Sequence, residues 1–255
     1  MLAWALRAAR IRIMDENNPY RSLEAPPVAF AAANERAAFL KKVYSILLAG
    51  ILGFAATLYG CATIPAMNDM AWGMAQLIYG QGMMGWAIYM GLFLGGSYLV
   101  QSVAEKSPVN VVAYGAWVVL MGFLIAPIVL IADQVGGAGI IQQASGLTAL
   151  IFGGLTVYVL WSGADFSWIR GALSVLFWGL LVTCLLGWLI GFSLGLWFSA
   201  LVVLLSAGYI LYNTSQILHR MPSNMAMSAA ILLFTDVVLL FKHILILLLN
   251  FTNRD

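Results

Sequence analysis

An all-α polytopic membrane protein, a bundle of seven transmembrane helices in one domain, is the fold class this sequence predicts. Three observations carry that prediction. The 255 residues are 63% hydrophobic and only 9% charged, with a mean hydropathy of +0.95, so there are too few charges to cover a water-exposed surface and the apolar surplus must face lipid. Seven apolar runs follow one another, each near the roughly 20 residues that cross a bilayer. The basic residues lie almost entirely on one side of those runs.

In chain order, residues 1–38 read as a cytoplasmic tail, with Met14 as an alternative start. Its Leu2–Ile13 stretch holds Arg7, Arg10 and Arg12 and no acid, the pattern of an interfacial amphipathic helix. Arg7 interrupts the opening apolar run too early for an export signal, whose apolar region needs about 7–15 residues. The membrane domain spans 39–250, and 251–255 form a short C-terminal tail. Its spans are Val43–Ile64, Met83–Val103, Val111–Ala132, Gly139–Trp161, Ile169–Ile190, Leu194–Leu218 and Met225–Leu249. No formal charge occurs from Gly171 to Leu218, too long a stretch for one crossing, so Gly191, Phe192 and Ser193 are expected to turn the chain. The links are short except Gly60–Gly82, which contains Pro65, Asn68 and Asp69. Short links make successive helices antiparallel neighbours. Pro127 is expected to kink the third span, and Gly91 and Gly95 have helix-packing spacing. Trp86, Trp161, Trp168 and Trp188 fall near span ends, as an interfacial belt does.

Orientation follows from the cations. The N-terminal flank holds Arg7, Arg10, Arg12, Arg21, Arg36, Lys41 and Lys42, and the even-numbered links hold Lys106, Arg170 and Arg220; the odd-numbered links hold none. The positive-inside rule puts the N-terminus in the cytoplasm. The net charge of +2 therefore reports topology and implies no nucleic-acid partner; the lipid bilayer is the partner expected. Cys61 and Cys184 give no disulfide framework, and with His219 and His243 the only histidines no Cys/His zinc site is expected.

Two motif matches lack their context. Gly80, Gly82 and Gly85 spell G-x-G-x-x-G without the strand and amphipathic helix that a dinucleotide site requires. Gly191-Phe192-Ser193-Leu194-Gly195 spells G-x-S-x-G, which in an intramembrane serine protease would need His219 or His243 within hydrogen-bond reach of Ser193. His219 belongs to the opposite membrane face, which leaves His243, about two turns before the outer end of the last span, as the only plausible base. The motif arises easily in Gly-rich apolar sequence, so no enzyme is predicted.

The informative residues are ionisable groups inside spans: apart from Arg170 at a helix edge, these are Asp236, Lys242 and His243, all in the last one. A charge at mid-membrane costs about 2.5–3.5 kcal/mol on insertion scales, so each must face the bundle interior, water or a partner. At 100° per residue, His243 falls within roughly 20° of the face of Asp236, whereas Lys242 points about 120° away. Lys242 is expected to snorkel or cap carbonyls. Asp236 is the functional candidate.

This pattern resembles the Bax inhibitor motif family of membrane proteins. The likeness rests on NERAAFLKKVYSILLAGIL leading the first span, SPVN before the third, SGLTALIFGGLTVYVLWSGADFSWIRGAL through the fourth and into the fifth, GYILYNTSQIL in the sixth and ILLFTDVVLLFKHILILL in the last. The resemblance implies seven helices with the last enclosed by the other six, and it implies a link to calcium leak and, in animals, to suppression of cell death. A bacterial branch of the family restrains an ATP-dependent membrane protease, so a protease is a second expected partner. A bacterial-type inner or plasma membrane is the expected host. In the family's leak mechanism, two aspartates on the last two helices share a proton as a latch. Asp236 in LLFTDVVLLF matches the second; where the family motif reads L-Y-D-T, this chain has Leu211-Tyr212-Asn213-Thr214.

The implied gate is therefore Asp236 with Asn213, with Thr214, Lys242 and His243 as further polar-stripe residues. No resident cofactor is expected; calcium enters as a transported ion, with Asp236 as a weak ligand. Two facing carboxylates titrate in coupled steps; an Asn/Asp pair has one titrating member and can stay hydrogen-bonded in either state. Asn213 sits about six residues from the cytoplasmic link and Asp236 about twelve, an axial offset of roughly 9 Å. The pair can meet only if the last helix starts late, protrudes below its neighbour, or one of the two is irregular.

Overall fold

A computed structural model describes residues 27–190 and 195–252. The expectations for Leu2–Ile13, for the Gly191–Ser193 turn with Ser193, and for the last three residues of the tail lie outside these. Among the described residues the chain is helical, with one isolated antiparallel bridge between Pro27 and Pro222. After a 3-10 turn at Val28–Phe30, the helices are α1 (Ala33–Thr63), α2 (Pro65–Tyr79), α3 (Met83–Met90), α4 (Gly96–Ser102), α5 (Val109–Ser162), α6 (Arg170–Ile190), α7 (Gly195–His219) and α8 (Ala226–Thr252). Gly91–Gly95 is a π turn joining α3 to α4, and Ser167–Ile169 is a 3-10 turn leading into α6.

Each predicted span falls on helix, with three corrections. The Gly60–Gly82 link contains α2, started by Pro65 at its first position, where the missing N–H has no helical partner to lose. Asn68, which reads as a loop residue, sends Nδ2 to the Cys61 carbonyl at 2.9 Å and so satisfies one of the acceptors left open at the end of α1. Helix also extends beyond the expected domain bounds, beginning at Ala33 and ending at Thr252.

The third and fourth spans are the two arms of α5. A straight helix of 54 residues would run about 80 Å, nearly three hydrocarbon thicknesses. The break comes at Gly137, with φ 63° and ψ −169°, a conformation essentially confined to glycine. Pro127 keeps helical backbone angles. Nor do Gly91 and Gly95 provide close packing, since a Cβ at either would meet nothing within 4 Å; they bound the π turn. One close approach is at Gly50, where a Cβ would strike the Tyr114 hydroxyl. That notch lets Tyr114 Oη donate to the Ile46 carbonyl at 3.3 Å.

The core sits around α8. Its sequence is apolar over most of its circumference, which suits a central helix, and of its few polar residues Asp236, Lys242 and His243 face a cleft. Ala226, Ser228, Ala229 and Ala230 let neighbours approach its first turns, and higher up Phe234 packs edge-on against Phe54 and Tyr114, with centroids at 6.2 and 5.7 Å. Helices α1, α5, α7 and, at one edge, α4 surround it. The last helix is thus central, but α6 packs on α7 through Leu173, Leu180 and Leu205 and has no substantial contact with α8. Among the described residues five helices are long and apolar enough to cross a membrane; α5 breaks at Gly137 into the third and fourth spans, and α3, the π turn and α4 together cover the second span.

Candidate functional site

Between the α3–α4 side and the α6–α7 side lies a cleft of about 790 Å³, with α8 as its floor. Asn213 from α7 and Asp236 from α8 meet on its wall. The Asn213 amide Nδ2 donates to Asp236 Oδ2 at 2.6 Å, and the residues are 7% and 8% exposed. The expected axial mismatch shrinks because α7 runs to His219 and α8 begins at Ala226, which leaves an offset of about four residues, roughly 6 Å. Protrusion of α8 past α7 accounts for it. The connecting segment crosses to the N-terminal turn, where Val28 N–H donates to the Met221 carbonyl at 2.9 Å.

Lys242 does not snorkel. Its Nζ donates to Tyr89 Oη at 2.7 Å and lies 4.5 Å from the centroid of the same ring. Lys242 and His243 both line the cleft that Asp236 lines, so the helical-wheel separation of Lys242 is overcome by the width of the cleft and the reach of a four-carbon stem. Thr214 does not join them: it is buried, its Oγ1 lacks a partner, and it is absent from the cleft lining. Trp86 lines the cleft instead of standing only in a belt. The residues that sequence reasoning missed are Tyr89, Gln101 and Thr235. Gln101 Nε2 donates to the Ser228 carbonyl at 3.4 Å, and Thr235 Oγ1 accepts from Trp117 Nε1 at 3.3 Å. Each joins elements distant in sequence, and no local pattern announces them.

Beyond Asn213, the end of α7 and Arg220 just after it make a second set of polar contacts, to the loop between α5 and α6. Ser215 Oγ accepts from the Phe166 N–H at 2.9 Å, and the two nitrogens of His219 lie 2.9 and 3.0 Å from the carbonyls of Ser215 and Gly163. Arg220 Nη2 reaches Asp165 Oδ2 at 3.3 Å at the surface. The Ser167 N–H, 2.9 Å from Asp165 Oδ1, holds that carboxyl below its usual range, with Arg220 adding to the effect. The Gly80–Gly82–Gly85 motif builds the α2–α3 corner. Gly82 takes a φ of 55°, and a Cβ on Gly85 would strike the Ile78 carbonyl oxygen. Both cysteines are free. Among the described residues, no three His, Cys, Asp or Glu side chains gather as a metal site.

These features define an integral membrane helical bundle whose central helix carries a buried acid answered by an amide on its neighbour. A sequence profile described as "Inhibitor of apoptosis-promoting Bax1" matches residues 36–253. The chain belongs to the Bax inhibitor family. It is 30% identical over 222 residues to mouse "Protein lifeguard 4", covering 86% of this chain and 87% of that protein. Identity to the vaccinia virus "Golgi anti-apoptotic protein" is also 30%, covering 87% and 89%. "Bax inhibitor 1" of Schizosaccharomyces pombe is 28% identical, covering 90% and 82%.

Proposed function

We infer that the protein is a passive leak for calcium-type cations, or an ion-homeostasis factor, gated at the Asn213–Asp236 pair, with its N-terminus in the cytoplasm of a bacterial-type inner or plasma membrane. One observation carries this reading: the one acid buried among the described residues, Asp236, lies on the wall of a cleft in the bundle and is tied across a helix interface by one hydrogen bond. Breaking that bond would let α7 and α8 separate locally and expose a carboxylate to a passing cation. A resting calcium site is not required. Calcium favours six to eight oxygen ligands, and Asp236 would supply a transient contact. Asn213 can donate to ionised Asp236 or accept from the neutral acid, so this latch responds less to pH than a pair of aspartates would.

Calcium flux into liposomes containing the purified protein tests the reading. Flux that Asp236→Ala alters supports it, and silence of the natural protein overturns it. Asn213→Asp should steepen the pH profile of the leak; identical profiles would defeat the single-titration account.

A second reading, a non-conducting regulator of another membrane protein such as an ATP-dependent protease, is favoured by Lys242, whose ammonium in the same cleft repels cations. Co-purification of a protease from native membranes, together with silent liposomes, would support it.

A further inference from the structure

We propose that the cleft is a binding site for one long-chain fatty-acid anion, its carboxylate held by Lys242 and its chain lying along α8. This rests on the cleft and its cation, independently of the leak reading.

Lys242 has three donors, and among the described residues one is used, on Tyr89. Among those residues no carboxylate pairs with it, although its neighbours include Tyr89, Tyr79 and Cys184. A buried ammonium is costly without an anion or several acceptors. Beside it, His243 leaves Nδ1 buried without a partner. Both residues line the cleft, so an entering carboxylate finds a cation and a second hydrogen-bonding group on adjacent residues. Tyr89 steadies the ammonium from the opposite wall with its hydroxyl and its ring face.

Most of the remaining lining is apolar, with Phe93, Phe177, Leu181, Phe198 and Leu239 among its walls, and Asn213 and Asp236, which share it, are already bonded to each other. From Lys242 the cleft runs along α8 to Leu232, about 15 Å at 1.5 Å per residue, which takes most of an extended palmitate-like chain, with the end of the chain toward the bilayer. At about 790 Å³ it lies in the range of roughly 300–1,000 Å³ that encloses one small ligand, which favours a single chain over a two-chain phospholipid. Because the α3–α4 side does not pack substantially on α6 or α7, a chain can slide in sideways from the bilayer.

Binding of radiolabelled palmitate to the purified full chain in detergent, read by scintillation proximity, tests the proposal. Saturable binding near one per chain is expected, displaced by unlabelled palmitate and not by hexadecanol, which has the same chain without the charge. Lys242→Met should weaken palmitate binding at least about tenfold, whereas Lys242→Arg should retain most of it. Equal displacement by hexadecanol, stronger displacement by phosphatidylglycerol, or unchanged affinity in Lys242→Met overturns the proposal. Should the methionine variant fail to fold, the competition series on the natural protein decides alone.

Discussion

Asn213, inside α7, and Arg220, the first residue after its end at His219, spend their polar groups differently. At Asn213 a buried amide faces a buried acid at 2.6 Å; at Arg220 an exposed guanidinium faces an exposed carboxylate at 3.3 Å. The second pair carries formal charge on both members and yet holds less, because water and salt screen it and each side chain gives up its freedom. The first is shielded from water, so losing one member strands the other with no substitute partner. Ser215 lies between these cases: it is fully buried, but its hydroxyl answers a loop N–H.

The sharpest test of this contrast is a double-mutant cycle at the buried pair. Asp236→Ala alone orphans the Asn213 amide and should cost about 1–3 kcal/mol in unfolding measurements. Asn213→Ala alone, which leaves the acid unanswered, should cost at least as much. The double variant should lose clearly less than the sum of the two, with a coupling of about 0.5–3 kcal/mol. Additive losses would mean that the 2.6 Å contact does not hold α7 against α8. Asp236→Asn, which keeps a hydrogen-bonding group of the same shape, should retain most of the stability while removing the only ionisable group of the pair.

How much of this was legible beforehand depends on how far each contact reaches along the chain. The spans were readable because hydropathy is local, and so was the Asp236 signal, since an acid in an apolar run needs no partner to stand out. Asn213 was reached through its motif's departure from the family pattern. What stayed hidden was set by distant residues. Tyr89 lies 153 positions from the lysine it holds, so Lys242 read as a snorkelling side chain. Helix α2 was concealed because Pro65, Asn68 and Asp69 are turn-forming types, although proline is equally at home in a first helical position. The break at Gly137 falls in the gap left between the third and fourth spans, which hydropathy marks locally; what the sequence did not show is that helix runs on both sides almost without interruption.

Ser215→Ala should have an intermediate effect. The Phe166 N–H loses its acceptor at a partly buried site, which should cost about 1 kcal/mol. Hydrogen exchange should quicken at Phe166 before it changes in the core of α7. Equal exchange at that amide in both proteins would show that water replaces the hydroxyl, and would place Ser215 with the exposed end of the helix.

The smallest effect belongs to the Arg220–Asp165 bridge. Arg220→Ala should move the thermal midpoint little in low salt and not at all in high salt, because the pair is open to water. Its pH dependence has a definite sign. The Ser167 N–H and Arg220 lower the Asp165 pKa in the folded chain, so the folded state binds that proton less readily than the unfolded one. The small stability this provides is present above the usual aspartate value of about 4 and fades as pH falls through the lower folded value. Asp165→Asn should therefore remove a slight acid-side slope and leave neutral and alkaline behaviour unchanged. A large loss at neutral pH would mean that the loop between α5 and α6 bears more of the bundle's stability than its exposure allows, and the contrast between Asn213 within α7 and Arg220 just past its end would fail.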